Sequence, residues 1–230
     1  MGDKTWHREQ LERCAEERRS AFDSYERSKL LGNQGDRTSL SDEERTLGET
    51  RAKLFDAVPC IEGERIVLNK VVESDADALR DLVDNPRVAR WIPTYLFERT
   101  HGDVYETIRL LYGEVFLRQE SLIMAVRVRD TGELAGLAEF YGLRDSLHKV
   151  SVGYRLRECC WGRGYATEAV GLMVGYLYGK TDIEIITASV LCENHASAHV
   201  LEKCGFIRTA QGVEEDWGFE KPAIVDKFFC

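Results

Sequence analysis

The stretch from Ser151 to Gly171 decides the fold, and it reads SVGYRLRECCWGRGYATEAVG. Its first residues have the composition of a β-strand, and from Ala166 the pattern becomes helical. Gly162 and Gly164 lie between the two, and glycine permits a turn that exposes successive N–H groups at the positive end of a helix dipole. The segment is therefore a candidate pyrophosphate site. A glycine-rich connector without a ligand fits the local sequence about equally well.

Other interpretations of the same stretch are weaker. A P-loop requires GxxxxGK followed by Ser or Thr, and the chain has no such run. A dinucleotide fingerprint, G-x-G-x-x-G, would place its third glycine at Thr167. Cys159 and Cys160 suggest a redox pair, but a disulfide between adjacent residues closes a strained ring. These motifs leave the phosphate site and the bare connector as the two open alternatives.

The composition restricts the class of protein. The 230 residues are 43% hydrophobic and 31% charged, which suits a globular chain with a sizeable core. The formal net charge of -9 argues against a nucleic-acid partner, because phosphate contacts need a surplus of Lys and Arg. No apolar run approaches the roughly 20 residues of a membrane helix. The first twenty residues are charged throughout and lack a signal-peptide core, so we expect a cytoplasmic protein without a membrane partner.

The cysteines and histidines do not have the spacing of a metal site. The seven cysteines are an odd number and scattered, no CxxC occurs, and the five histidines show no zinc-finger spacing with them. His195 and His199 lie four residues apart on one predicted helix, but no Glu stands between them as in HExxH. We therefore expect reduced thiols and no metal.

The chain changes character near residue 57. Before that point a thin apolar stripe fits a helix from about Lys4 to Leu31, and Ser41 opens a capping box for a second helix to about Asp56. The two form a predicted N-terminal helical extension, residues 1–57, built as a helical hairpin. Its stripe is too narrow for a core of its own, so we expect it to dock on the main domain or on another subunit, which makes a homodimer possible.

Residues 58–230 alternate between strand and helix patterns. The predicted strands are 64–71, 121–130, 132–143, 149–157, 182–191, 208–219 and 223–229, and the predicted helices are 74–85, 102–116, 166–180 and 194–206. Pro86 and Pro93 bracket a predicted loop. This order predicts an α/β (α+β) domain with a mixed central sheet, in which the helix over 166–180 crosses between two strands.

Three motifs in this region resemble those of one protein family. Residues 64–93, ERIVLNKVVESDADALRDLVDNPRVARWIP, resemble its entry strand and first helix. Residues 150–170, VSVGYRLRECCWGRGYATEAV, resemble its strand and pyrophosphate loop, and residues 193–206, ENHASAHVLEKCGF, resemble its Asn-x-x-Ser helix. By these motifs the chain from about residue 58 resembles the GNAT superfamily of N-acetyltransferases, in its RimJ/RimL-like branch of ribosomal-protein N-terminal acetyltransferases.

The resemblance implies a fold and a co-substrate. The fold is the GNAT fold, with a splayed pair of parallel strands between which the pantetheine of acetyl-CoA inserts like an added strand. Tyr154, Arg155 and Leu156 would then pair with pantetheine through their main chain. The pyrophosphate loop would consist of Trp161, Gly162, Arg163, Gly164, Tyr165, Ala166 and Thr167. Asn194 would bind pantetheine and Lys203 a phosphate, although a solvated helix lysine is at least as good an interpretation.

The resemblance also implies a reaction and candidate catalytic residues. A primary amine, either a protein N-terminus or a small molecule, would attack the thioester directly in a ternary complex. Ser197 is the candidate donor of a proton to the thiolate, with a helix serine bonded to a backbone carbonyl as the equal alternative. Glu139 is a candidate base if its strand register turns it into the cleft. Trp91 and Tyr95 would lie on the acceptor side.

Two departures from the family pattern keep a second hypothesis open. Trp161 stands where the family usually has Gln or Arg, and Ser151 stands where the branch often has a Glu that faces the acceptor. Ser151 remains a catalytic candidate only because it occupies the position of that Glu. The competing hypothesis is a non-catalytic acyl-CoA-binding or protein-interaction module with the same fold.

Overall fold

The computed structural model describes residues 53–91, 103–217 and 221–230. The predicted helical hairpin, apart from its last few residues, lies outside the described residues, as does Tyr95. The extension and the homodimer therefore stay predictions.

The described residues form one eight-stranded sheet with helices on both faces. The strands are β1 Ile61–Glu62, β2 Ile66–Asn69, β3 Ser121–Val128, β4 Leu134–Arg144, β5 Lys149–Leu156, β6 Ile185–Leu191, β7 Ile207–Glu215 and β8 Ala223–Phe229. The helices are α1 Ala76–Asp84, α2 Pro86–Ala89, α3 Val104–Leu111, α4 Glu114–Leu117, α5 Tyr165–Lys180 and α6 His195–Lys203.

The sheet is antiparallel except at one place. Its strand order is β1-β2-β3-β4-β5-β6-β8-β7, and only β5 and β6 pair in parallel among the strands described. The helix α5 connects these two strands, as a parallel connection requires. The predicted mixed sheet and its crossover helix are therefore confirmed.

The parallel pair separates soon after it begins. β5 and β6 pair at Lys149–Ile185, Val150–Ile186 and Ser151–Thr187, and both strands then run on without further pairing to each other. The opening between the remainder of the two strands, β5 from residue 152 and β6 from residue 188, is called the strand gap below. This geometry agrees with the splayed pair that the family resemblance implied.

Each face of the sheet is covered by its own hydrophobic cluster. Phe140 and Val152 point to the face on which α5 packs through Met173 and Leu177. Leu137 and Ile123 belong to the other cluster, in which α1 and α3 contribute leucines and an isoleucine. Because side chains alternate along a strand, neighbouring residues of β4 and β5 face opposite clusters, and this alternation fixes which residues face the site.

Several predicted element boundaries differ from the structure. The predicted loop at Pro86 is a short helix, since Asn85 caps it by accepting from the Arg87 N–H and proline suits a first helical position. The predicted helix 102–116 ends at Leu111, and α4 begins at Glu114. The strand predicted for 208–219 ends at Glu215.

A tertiary contact of Tyr112 accompanies the break between α3 and α4. Its hydroxyl accepts from the Val71 N–H at 2.6 Å and donates to the Ile123 carbonyl at 3.0 Å. The ring therefore joins the segment after β2 to the centre of β3. Tyr112 itself leaves helical geometry, with φ -107° and ψ 3°. A tertiary restraint of this kind overrides the helical periodicity of the sequence.

We expect Tyr112→Phe to lower the free energy of unfolding by about 1–3 kcal/mol, because it leaves the Val71 N–H without its acceptor. Urea denaturation measures the effect. Tyr105→Phe is the matched control, since Tyr105 is 41% exposed and should leave the midpoint unchanged. Equal stability of the two variants would contradict the role given to the Tyr112 hydroxyl.

Candidate cofactor and acceptor site

The strand gap presents main-chain groups that β5 and β6 no longer use on each other. The His148 carbonyl accepts from the Glu184 and Ile185 N–H groups on the β6 side, whereas the Arg157 N–H donates to Ala135 on the β4 side. Strand alternation between these points turns the main chain of Val152 and Tyr154 toward the gap. An extended chain of amides can pair with such an edge.

The end of β5 leads into a left-handed turn at the N-terminus of α5. Gly162 and Gly164 have φ values of 71° and 80°, which confirms the glycine geometry expected from the sequence. The six N–H groups from Gly162 to Thr167 have no acceptor within residues 53–91, 103–217 and 221–230. The first helical bond runs from the Glu168 N–H to the Gly164 carbonyl at 3.1 Å. Six unbonded amides at a helix N-terminus make an anion-binding nest.

Trp161 bonds the beginning of this turn to the last residue of β5. Its indole N–H donates to the Leu156 carbonyl at 2.9 Å, and the Arg87 guanidinium lies 5.9 Å from its ring centroid. The Leu156 carbonyl, predicted to pair with pantetheine, therefore has a partner within the chain. The main chain of Arg155, by its alternation with Val152 and Tyr154, faces β4. Of the three predicted β5 residues, Tyr154 presents its main chain to the gap.

Polar contacts also dock the turn on the first two helices. Glu158 accepts hydrogen bonds from Asn85 at 2.9 Å and from Arg87, both at the junction of α1 and α2. The Arg157 guanidinium donates to Asp81 on α1 at 2.8 Å. The side chain of Arg163 is exposed, and its contact with a phosphate stays a prediction.

Arg65, which the sequence analysis did not select, holds the opposite side of the turn. Its guanidinium donates to the Arg163 carbonyl at 2.8 Å and to the Gly164 carbonyl at 3.4 Å. The same group donates to the Glu168 carboxylate at 2.8 Å. Glu168 also accepts the N–H groups of Arg65 and Ile66, at 2.7 and 3.2 Å. Glu168 is thus bonded to Ile66, the first residue of β2, and to Arg65 before it, rather than placed in the cleft.

A pair of hydroxyl groups lies where α6 approaches β5. The Tyr154 phenol donates to the Ser197 hydroxyl at 3.1 Å. Burial raises the pKa of Tyr154 to about 12, although the bond to Ser197 acts in the opposite direction. The Ser197 N–H donates to the side-chain oxygen of Asn194 at 3.2 Å, which caps α6. The capping bond uses one lone pair of the Asn194 oxygen and leaves its other lone pair and its amide NH₂ for pantetheine. Lys203 is exposed at the other end of the helix.

The register of β4 places Glu139 on the sheet face away from α5. Glu139 pairs with Ile123 on β3 and with Gly153 on β5, and Ser121 donates to its carboxylate. Tyr141 pairs with Ser151, two residues along on the same face. We call the face that carries Glu139, Tyr141 and Ser151 the polar face.

Ser151 and Tyr141 occupy the point where the parallel strands separate. The Ser151 hydroxyl lies 2.9 Å from the Thr187 hydroxyl. The residue at the position of the family's Glu is therefore bonded to its partner in the last pair between β5 and β6. Burial raises the pKa of Tyr141, and the charges of Glu139 and Glu215 raise it further. The phenol therefore remains protonated beside two carboxylates.

The C-terminal hairpin adds an ion pair to the polar face. Lys227 on β8 donates to the Glu215 carboxylate and to the Ser189 hydroxyl, the latter at 3.2 Å. The Trp217 indole donates to Glu215 at 3.0 Å. Burial would raise the pKa of Glu215, but the bonds from Lys227 and Trp217 outweigh it and lower that pKa. This ion pair could not be predicted from local sequence, because Glu215 and Lys227 lie on different strands and meet through the pairing of β7 with β8.

Trp91, the acceptor-side candidate that the structure describes, ends the range 53–91. It is half-buried, and the Arg90 guanidinium lies 4.1 Å from the centroid of its ring. Its role on the acceptor side, like that of Tyr95, stays a prediction.

The described residues have neither a metal cluster nor a membrane-spanning helix. No group of three or more His, Cys, Asp and Glu side chains that could hold a metal ion occurs in the described ranges. No helix in those ranges has the length and apolar content needed to cross a bilayer. The six cysteines described are free thiols, and the sulfur atoms of Cys159 and Cys160 lie 3.8 Å apart.

The chain is similar to known N-acetyltransferases. Residues 65–207, more than half of the chain, match the family model described as an acetyltransferase (GNAT) domain. The uncharacterized N-acetyltransferase YoaA of Bacillus subtilis (strain 168) is 27% identical over 150 residues, which cover 64% of this chain and 82% of YoaA.

Solved structures show a similar fold. RimL, a ribosomal L7/L12 α-N-protein acetyltransferase solved with coenzyme A, matches with a TM-score of 0.62 and 18% identity over 75% of this chain and 97% of that one. Spermidine N-acetyltransferase from Vibrio cholerae, solved with CoA and spermine, matches with a TM-score of 0.60 and 18% identity over 73% of this chain and 96% of that one.

Proposed function

The chain belongs to the GNAT acetyltransferase family and is an acyltransferase, and we propose that it transfers the acetyl group of acetyl-CoA to a primary amine by direct attack in a ternary complex. The observation that carries the proposal is the run of six unbonded N–H groups from Gly162 to Thr167 beside the strand gap. A pyrophosphate fits the first and an extended diamide chain fits the second. Acetyl-CoA contains both groups in that order.

The gap also supplies the polarising group. In this proposal the main chain of Tyr154 pairs with pantetheine, and an N–H in the segment from Val152 to Tyr154 donates to the thioester carbonyl. That donor stabilises the oxyanion that forms when the amine adds to the carbonyl carbon. The bond from nitrogen to the acetyl carbon forms, the carbon–sulfur bond breaks, and the electron pair leaves with the sulfur.

Two protons move in the reaction, and the two faces of the sheet supply separate candidates. In this proposal Glu139, on the polar face, lies on the side of the incoming amine and takes, directly or through water, the proton that the nitrogen of the tetrahedral adduct loses. Ser197 gives its hydroxyl proton to the thiolate and receives the phenol proton of Tyr154, which is already bonded to that oxygen, and the resulting phenolate is reprotonated from solvent. Ser151, bonded to Thr187, orders the junction between these two regions.

We assign the acceptor to the primary amines, either a protein N-terminus, as in the RimJ/RimL-like branch, or a small molecule. The similar structures include an enzyme named for a ribosomal protein and one solved with spermine, and their TM-scores differ little. Their identities of 18% support a shared fold and do not separate the two acceptors. The acceptor therefore has to be selected by assay.

The proposal is tested by calorimetry with acetyl-CoA and by a thiol-release assay on two acceptor sets. One set contains peptides with different free N-terminal residues, matched to the same peptides with blocked N-termini. The other contains polyamines and other small amines. We expect acetyl-CoA to bind and thiol release to require a free primary amine. Binding without release for any acceptor would favour the non-catalytic module.

The direct attack has its own test at the adjacent cysteines. Treatment with iodoacetamide in the absence of CoA should leave turnover in place, because no cysteine carries the acetyl group. Accumulation of an acetyl group on Cys160, with loss of turnover after alkylation, would contradict the ternary complex. The buried position of Cys160, 8% exposed, agrees with an inert thiol.

A further inference from the structure

We infer that Arg65 is a positioning residue for acetyl-CoA, because its guanidinium turns the peptide planes of the phosphate loop so that their N–H groups face the pyrophosphate. The inference rests on the proposed function, since it assumes that the amides from Gly162 to Thr167 receive that group. Arg65 itself lies on the other side of the loop, immediately before β2.

The direction of the amides follows from the two carbonyls that Arg65 binds. The described residues contain no cis peptide bond, so each carbonyl points opposite to the N–H of the next residue. Arg65 donates to the carbonyls of Arg163 and Gly164, at 2.8 and 3.4 Å. The N–H groups of Gly164 and Tyr165 must therefore point away from the guanidinium. These two amides lie at the centre of the unbonded run.

The guanidinium is itself held in a fixed orientation. Its Nε donates to Glu168 at 2.8 Å, and the side chain of Glu168 is only 13% exposed. Glu168 also accepts the main-chain N–H groups of Arg65 and Ile66. Because Glu168 lies in the first turn of α5, β2 and the helix are fastened together next to the loop. The fork of donors on Arg65 can then bind both carbonyls at once.

The close approach of the loop to Arg65 depends on Gly164. A Cβ at this residue would lie 3.1 Å from one terminal nitrogen of Arg65 and 3.3 Å from the other. A side chain at this position would therefore press against the guanidinium and weaken its bonds to the two carbonyls. The glycine provides both the left-handed turn and the space for its support.

We expect Arg65→Met to raise the KM for acetyl-CoA about tenfold while kcat changes less than about twofold, because the lost order affects binding of the pyrophosphate and not the thioester. S-acetylpantetheine, which has no pyrophosphate, should react equally well with both proteins. A purely structural role for Arg65 would change both donors together. Arg65→Lys keeps the charge without the fork and should behave like Arg65→Met.

Arg127→Met is the matched control. Arg127 donates to the Asp75 carboxylate and to the Gly132 carbonyl, each at 2.8 Å, so it also joins a carboxylate to main chain, but these partners do not belong to the phosphate loop or its supports. Its KM for acetyl-CoA should not change. Full function of Arg65→Lys would show that charge alone acts and would overturn the inference.

Calorimetry with CoA and with pantetheine, in the absence of an acceptor, separates this inference from the proposed function. Failure of the parent protein to bind CoA would refute the CoA site itself. Binding of CoA by the parent and by Arg65→Met with equal affinity would refute the role of Arg65 alone. The expected result is weaker CoA binding in the variant and unchanged pantetheine binding.

Discussion

Gly164→Val is expected to lower the affinity for acetyl-CoA at least about 100-fold. A β-branched residue at a φ of 80° costs on the order of 1–3 kcal/mol, so the loop will leave its left-handed turn. The new Cβ would also lie 3.1 Å from the nearest Arg65 nitrogen, so the guanidinium must shift by a few tenths of an ångström and its bonds to the loop carbonyls weaken. Both changes disperse the amides that converge on one anion. Calorimetry with acetyl-CoA measures the loss.

The control must separate backbone strain from damage to the loop. Gly132, in the turn between β3 and β4, has a φ of 72° and no atom within 4 Å of its ideal Cβ. Gly132→Val should therefore lower stability through the same strain and leave acetyl-CoA affinity unchanged. An equal loss of affinity in the two variants would assign the effect to general destabilisation. Normal affinity in Gly164→Val would refute the phosphate role of the loop.

The parts of the site that lie close together in the chain could be predicted from the sequence. Gly162 and Gly164 indicate a left-handed turn because their freedom at positive φ is a property of the residue. The strand, the turn and α5 follow one another directly, so their periodicities are read from one continuous segment. The parallel pairing of β5 and β6 follows from the crossover rule.

The supports of the loop could not be predicted, because they connect residues that are distant in the chain. Arg65 and Glu168 are 103 positions apart, and their pairing depends on β2 lying beside the start of α5. Trp161 departs from the family pattern, and only the structure shows its bond to the Leu156 carbonyl. A charge or an indole in isolation does not indicate its partner.

The acceptor side depended on strand register, which periodicity leaves open. A shift of one residue would turn Glu139 from the polar face into the cluster under α5. The pairing of Glu139 with Gly153 removes this ambiguity, since Gly153 alternates with the buried Val152. Glu215 and Lys227 reach the same face only because β8 and β7 follow β6 in the sheet.

The second large effect is expected at the hydroxyl pair. Ser197→Ala should lower kcat about 100-fold with little change in acetyl-CoA affinity, because general acid catalysis contributes on the order of 10²–10⁴ and the nucleotide is bound elsewhere. The variant keeps the Ser197 N–H that Asn194 accepts, so the cap of α6 should remain. Initial rates with acetyl-CoA and the acceptor both saturating measure kcat directly.

Tyr154→Phe tests whether the phenol assists Ser197. The phenol donates to the Ser197 oxygen, so its removal should reduce kcat by a smaller factor, about tenfold. The pKa of about 12 keeps the Tyr154 phenol protonated at neutral and mildly alkaline pH. Its ionisation should therefore cause no loss of kcat in that pH range. Because the two hydroxyls act in series, the double variant should be no slower than Ser197→Ala.

Tyr112→Phe supplies the control for loss of a buried phenol. Its hydroxyl bonds to Val71 and Ile123, away from the strand gap, so it should lower stability and leave kcat unchanged. Additive losses in the double variant would show that Tyr154 and Ser197 act independently. Full kcat in Ser197→Ala would mean that the thiolate takes its proton from another donor, and the Tyr154–Ser197 bond would then serve only to hold α6 against β5.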